Sequence, residues 1–183
     1  MINLFLDLDA TIVDSSKAYC AVYNTYYSHL EGFKPADHTK VYQYNFSDEC
    51  LLALQDKSKI FGNQDFFDNL ILFENAYEVL LSLKDKYNII ICTLGDNDNI
   101  SLKSQWIKEN LPFVNNCIFI NSNGINSKSI VDMSGGIFID DHQDNLFSSN
   151  AEYKYCYGEV KGWNDKWDGI RLENWLEIKE CAL

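Results

Sequence analysis

The stretch Ile2-Asn3-Leu4-Phe5-Leu6-Asp7-Leu8-Asp9-Ala10-Thr11 decides how the rest of the chain is read. A short apolar run that breaks off into acidic residues is the signature of a buried parallel strand reaching the edge of its sheet. The run predicts a first strand with Asp7 and Asp9 at its carboxyl end. In an open parallel sheet that end faces the ligand crevice.

Two further strand-like runs end in the same manner. Asn88 to Cys92 is β-branched and stops at Thr93, and Ile137-Phe138-Ile139 stops at Asp140-Asp141. Strands are expected also at Cys117–Ile120 and Tyr153–Tyr157. Helical periodicity falls between them, from Ala76 to Tyr87, from Ile100 to Leu111, near Lys128 to Met133 and from Glu173 to Cys181. Alternating strands and helices imply a parallel α/β sheet with right-handed crossovers.

About eighty residues separate the first two strands, far more than one crossover helix needs. Ser15 and Ser16 are good N-caps for a helix from Lys17 to Leu30, and Ser47 for a second through Leu51, Leu52 and Leu54. Residues 15–75 are therefore read as a small helical cap inserted after strand 1, with 1–14 and 76–183 forming the core.

Composition narrows the function. The chain has 183 residues, of which 46% are hydrophobic, enough for one buried core. Acidic residues outnumber basic ones 27 to 15, a net charge of -12 that repels a nucleic-acid polymer. A small phosphorylated ligand is still admitted if a divalent cation inverts the local charge. Apolar runs are too short to span a bilayer, which argues against a membrane partner. The six cysteines are scattered without a C-x-x-C pair, and no signal peptide precedes the first strand, so a reduced cytoplasmic setting is expected. The sequence is compatible with a homodimer.

Four aspartates gathered at the strand ends would repel one another without a cation. Carboxylate oxygens are what Mg²⁺ prefers, and such a metal would draw in a phosphate. A carboxylate can then attack phosphorus, while a second two residues on moves the proton of the leaving oxygen. A hydroxyl such as Thr93 and a cation such as Lys128 would bind the other phosphoryl oxygens. Lys103 is the rival to Lys128, and is read as an exposed residue on an amphipathic helix.

The order D-x-D-x-T, Thr, Lys, D-D resembles the haloacid dehalogenase (HAD) superfamily of phosphatases. The resemblance implies a Rossmann-like core, Asp7 as nucleophile and Asp9 as acid/base. It implies Thr93 and Lys128 as phosphoryl-binding groups, and Mg²⁺ on Asp7, Asp9 and Asp141. Asp140 and Asn145 would support the metal, with Asp144 a substitute for Asn145.

A closer match is to the 5'(3')-deoxyribonucleotidases of type C. It rests on Phe66-Phe67-Asp68-Asn69-Leu70, Ile91-Cys92-Thr93, Lys103-Ser104-Gln105-Trp106-Ile107, Ser127-Lys128-Ser129, Ile139-Asp140-Asp141 and Trp163-Asn164-Asp165-Lys166-Trp167. This resemblance implies a nucleoside monophosphate as substrate, its base held by Tyr44-Asn45-Phe46 and Phe67. Departures are also visible: Ala10-Thr11 stand for the usual Gly-Val, Ser15 for an aromatic, and Glu74-Asn75-Ala76 for Pro-Gly-Ala. Competing readings are a HAD phosphatase for another small metabolite and a catalytically silent nucleotide-binding module. Read without the resemblance, Tyr44, Phe46 and Phe67 are cap core, Trp163, Trp167 and Trp175 are packing anchors, His142 meets solvent, and residues 95–99 form a turn.

Overall fold

The computed structural model describes residues 1–124 and 127–181. Part of the loop expected at 121–127 lies outside those residues. Six parallel strands form one sheet in the order β3-β2-β1-β4-β5-β6. They are β1 (Ile2–Leu6), β2 (Tyr87–Gly95), β3 (Asn116–Asn121), β4 (Ile137–Asp140), β5 (Tyr153–Tyr157) and β6 (Arg171–Leu172). The order reverses at β1, with β2 and β3 to one side and β4 to β6 to the other. The crevice between β1 and its neighbours is where a doubly wound sheet binds ligands.

Central strands are buried on both faces, which explains their near-continuous apolar runs. Leu4, Leu6, Ile91 and Phe138 are fully buried. One apolar cluster joins Leu4, Leu6 and Ile91 to Tyr19, Tyr23 and Phe66 of the segment between β1 and β2. A smaller cluster around Phe5, Cys92 and Phe138 lies under helix α6 (Gln143–Ser148). The mixed α/β architecture read from the strand pattern is the one observed.

Local boundaries moved where side-chain chemistry overrode periodicity. Helix α1 runs Ser15–Tyr26, capped by Asp14, whose carboxylate accepts from Lys17 N–H at 2.9 Å. The cap is thus one residue before the serines favoured from sequence, and the helix stops four residues short of Leu30. No helix follows Ser47. That stretch is turns around a 3₁₀ segment, Leu51–Ala53, followed by the short helices α2 (Lys57–Phe61) and α3 (Gln64–Asp68). Helix α4 spans Ala76–Leu83.

Residues 95–99 are not a free turn. Asp96 caps helix α5 (Asn97–Asn110) by accepting from Asn99 N–H, so the helix starts three residues earlier than expected. Gly95, which ends β2, has no room for a Cβ against the Asn99 side chain. The two-residue edge strand β6 was not anticipated, and α7 (Trp175–Cys181) closes the described chain. All six cysteines are unpaired. Among the described residues no helix is long and apolar enough to cross a membrane.

Candidate active site

Asp7 directly follows β1, and its N–H continues the ladder by donating to Ile139 O of β4 at 3.0 Å. Its Oδ1 accepts from Leu8 N–H and faces Lys128 Nζ, both at 2.7 Å. Its Oδ2 has no donor among the described residues. The chain then turns sharply, with Thr11, Ile12 and Val13 N–H all directed at Leu8 O. The turn requires φ +54° at Ala10, the left-handed region that normally selects glycine. Thr11 is buried and its hydroxyl has no partner among the described residues, while its carbonyl accepts from the Trp175 indole at 3.1 Å.

Lys128 is fully buried on a single 3₁₀ turn, Lys128–Ile130, rather than on the longer helix expected. Its ammonium lies 2.6 Å from Asp140 Oδ2 as well as 2.7 Å from Asp7. Burial alone would release its proton, but the two carboxylates outweigh burial and hold the proton more tightly than usual. Asp140 is saturated. Its Oδ1 takes His142 N–H at 2.8 Å, and Asn145 Nδ2 spans both oxygens at 3.0 and 3.1 Å. Asn145, not the exposed Asp144, therefore braces the acidic pair.

Lys103 overturns its sequence reading. It is 1% exposed, because α5 turns this residue inward beneath β2. Its ammonium donates to Thr93 Oγ1 at 2.9 Å, to Leu94 O at 2.6 Å and to Asp9 Oδ2. The opposite oxygen, Asp9 Oδ1, is buried and has no partner among the described residues. The site thus holds two buried lysines, one for each half of the D-x-D pair.

Oxygens of Asp7, Asp140 and Asp141 lie within 4.8 Å of one another, a group that could hold a metal ion. Burial, reinforced by Asp140 and Asp7, pushes the Asp141 carboxyl well above the usual range. A divalent cation relieves that penalty, and an all-carboxylate donor set suits a hard ion. The Asp9 carboxylate, expected from the resemblance among the ligands, is not in this trio because it faces Lys103.

Asp7, Asp9, Thr93, Lys103, Lys128, Asp141 and Asn145 line one cavity of about 470 Å³, together with Ser15, Tyr44, Phe46, Lys57, Phe61, His142 and Trp163. The volume suits a small metabolite. Phe46 is buried, with its ring stacked on Tyr19 at 4.2 Å, and Tyr44 is half-exposed across the opening. Asn45 is exposed and Phe67 packs behind the wall, so neither lines the cavity.

A family model described as "5' nucleotidase, deoxy (Pyrimidine), cytosolic type C protein" matches residues 1–183. The chain belongs to the type C 5'-nucleotidase family. It is accordingly a phosphatase of the 5'-nucleotidase kind, acting on a small phosphorylated substrate. No curated relative matches the sequence.

Solved structures agree on the fold. A haloacid dehalogenase-like hydrolase from Streptococcus pneumoniae superposes with TM-score 0.65 at 17% identity, covering 100% of this chain and 99% of its own. A putative phosphatase from Clostridium difficile gives 0.68 at 13%, covering 98% and 97%. A HAD family hydrolase from Deinococcus radiodurans, solved with bound phosphate and sodium, gives 0.68 at 12%, covering 100% and 95%.

Within this nucleotidase-family site, three groups escaped sequence reasoning. Lys57 lines the cavity, its ammonium 4.0 Å over the Tyr44 ring and 2.7 Å from Tyr44 O. Burial lowers its pKa to about 8. His142 caps α6 and meets the edge of Tyr44 at 4.8 Å, so it belongs to the wall rather than to solvent. Trp163 belongs to the apolar cluster that includes Trp175 and Ile178 of α7, but its indole also reaches Asp141. Nothing in spacing or periodicity marks a tryptophan twenty-two residues away as a partner of an aspartate.

Proposed function

We propose that this protein hydrolyses nucleoside monophosphates as a 5'(3')-deoxyribonucleotidase, through an aspartyl-phosphate on Asp7. One observation carries the reading: Asp7, Asp9, Thr93, Lys103, Lys128 and Asp141 converge from the ends of β1, β2 and β4, from α5 and from the 3₁₀ turn Lys128–Ile130 on a single cavity walled by Tyr44 and Phe46.

Mg²⁺ would be held by Asp7 and Asp141, with Asp140 and Asn145 behind them, and would supply charge neutralisation for the incoming phosphate. The remaining chemistry is the chain's own. Lys128 fixes Oδ1 of Asp7, so Oδ2 is the oxygen presented to phosphorus. Its lone pair forms the new P–O bond as the ester P–O bond breaks. Asp9 Oδ1, unpartnered in the free protein, gives its proton to the departing oxygen. The same carboxylate then takes a proton from the water that cleaves the acyl phosphate. Thr93 Oγ1 receives a hydrogen bond from Lys103, which leaves its own proton to donate to a phosphoryl oxygen.

Residues 15–75 act as the cap in this reading. Aromatic faces such as Tyr44 and Phe46 accept any base by stacking, so they hold the leaving nucleoside without fixing its identity. The protein works in the cytoplasm, where its free cysteines stay reduced. The test is a panel of deoxyribonucleotides, ribonucleotides and sugar phosphates with Mg²⁺, run on wild type and Asp7→Asn. Nucleotide hydrolysis that vanishes in Asp7→Asn is expected. Turnover of sugar phosphates with none of any nucleotide would overturn the substrate, and unchanged turnover in Asp7→Asn would overturn the mechanism.

A further inference from the structure

Of the four aspartates gathered at the ends of β1 and β4 (Asp7, Asp9, Asp140 and Asp141), all but one are paired with a lysine among the described residues. Lys128 serves Asp7 and Asp140, and Lys103 serves Asp9. Asp141 instead receives the indole N–H of Trp163 on Oδ2 at 2.7 Å, and both residues are 8% exposed. The difference has an electrostatic consequence. A lysine would orient the carboxylate but cancel its charge, and would repel an incoming cation. A neutral N–H orients it and leaves the charge in place.

The tryptophan is itself held from several sides. Asn164 Nδ2 donates to the Asp141 main-chain carbonyl at 3.0 Å, so consecutive residues 163 and 164 grip side chain and backbone of one aspartate. Trp163 O accepts from Gln143 N–H at 3.2 Å, and Arg171 Nη2 donates to Asn164 O at 3.0 Å. Gly162 N–H donates to Tyr42 O at 2.9 Å, which ties the loop to the segment carrying Tyr44. The Tyr44 ring lies edge-on to the indole, 6.1 Å between centroids.

We infer that Trp163 is a positioning residue for the cation: by donating a neutral hydrogen bond to Oδ2 of Asp141, it aims the other oxygen at the metal and leaves the charge of this carboxylate uncancelled by a lysine. The inference rests on the reading that Asp141 is a metal ligand. It predicts that removing the N–H while keeping an aromatic ring weakens the cation rather than the chemistry.

Trp163→Phe is therefore compared with wild type by calorimetric titration of the metal-free protein with Mg²⁺, and by the Mg²⁺ dependence of phosphatase turnover. The expected result is an affinity lower by about 10–100-fold, the range seen when a partner of a metal ligand is lost. At saturating Mg²⁺, kcat should return close to wild type. Trp163→His, which restores a ring N–H, should recover part of the affinity. Trp106→Phe, at a buried tryptophan outside the cavity, should lower stability without moving the Mg²⁺ affinity. Asp141→Asn separates the two layers of the argument. If it leaves Mg²⁺ affinity intact, the metal reading fails and this inference with it. If Asp141→Asn abolishes binding while Trp163→Phe binds like wild type, the metal reading survives and the role of Trp163 is refuted.

Discussion

Lys128→Met is the perturbation whose outcome the geometry determines most fully. The substitution removes the ammonium held 2.7 Å from Asp7 and 2.6 Å from Asp140, both buried carboxylates. It leaves three acidic side chains with oxygens within 4.8 Å of one another and no lysine between them. Breaking a buried pair by removing one partner costs about 3–5 kcal/mol, because the surviving charge is uncompensated. For a chain of this size, that lowers Tm by about 6–20 °C. The loss should depend on conditions in a specific direction. Lys128 holds its proton more tightly when folded, so its stabilisation is fully present at neutral pH and fades only above its ordinary range. The carboxylates set the acid side. As they protonate the variant sheds its unpaired charges, and the gap from wild type narrows as pH falls. Mg²⁺ should narrow it too, by supplying the missing positive charge. Urea denaturation in EDTA at pH 7.5 and pH 5, repeated with Mg²⁺ at pH 7.5, measures all three quantities. A loss below about 1 kcal/mol in EDTA at pH 7.5, or a gap that does not shrink toward acid, would refute this account of how the site is held together.

Three other outcomes follow from the same structure. Asp141→Asn should stabilise the metal-free protein at pH 8, since burial and neighbouring carboxylates raise the wild-type pKa and the charged form destabilises the fold; the gain should fade toward pH 4 in thermal melts, where the wild-type carboxyl is protonated. Lys57→Met should stabilise the protein at pH 7. Lowering the lysine's pKa from 10.5 to about 8 costs at most about 3 kcal/mol while the residue is charged, and the lost Tyr44 contact offsets about 1; the difference should close between pH 8 and pH 10.5, because the cost is complete below the folded pKa and gone above the unfolded one. Ala10→Val should cost at least about 1–2 kcal/mol by urea denaturation, while Ala10→Gly should lie within about 1 kcal/mol of wild type, because relief at φ +54° is offset by unfolded-chain entropy.

The core was legible because each strand ends where its chemistry begins. Asp7, Thr93 and Asp140 announce themselves by interrupting β-branched or apolar runs, and a parallel sheet must bring such interruptions to one edge. Lys103 was misread for a reason the same physics supplies. On an amphipathic helix a lysine is assigned to water, and only the three-dimensional position of Asp9 and Leu94 O makes burial affordable. The 45–55 region was misread because its turns rest on contacts outside helical spacing. Asp48 accepts from Tyr42 and Gln43 N–H, and Phe46 stacks on Tyr19, neither of which has a periodic signature. Trp163 belongs to the same category, a hydrogen bond between residues joined by no local pattern.

The departures from the family's pattern that sequence alone left open acquire a common explanation. Ala10 and Asn75 stand where glycines are usual, and both keep a glycine's backbone, at φ +54° and +64°. The fold has thus retained the turn after the D-x-D pair and the entry to α4 while replacing the residue that makes each easy. Asn75 bears this lightly, because asparagine tolerates the left-handed region. Ala10 does not, and must be held by the bonds converging on Leu8 O around it. Phe46 is the third such residue, at φ +61°, and here the strain falls on the cavity wall. A bulky side chain persists in that conformation only where its surroundings over-determine it. Gln43 O accepts the Phe46 N–H, Cys50 and Glu49 donate to its carbonyl, and Tyr19 covers its ring. The turn after Asp7 and the aromatic wall are therefore both held in place against the preference of their own residues. In the proposed reaction, that would fix where the phosphate and the leaving group lie relative to each other before any substrate arrives.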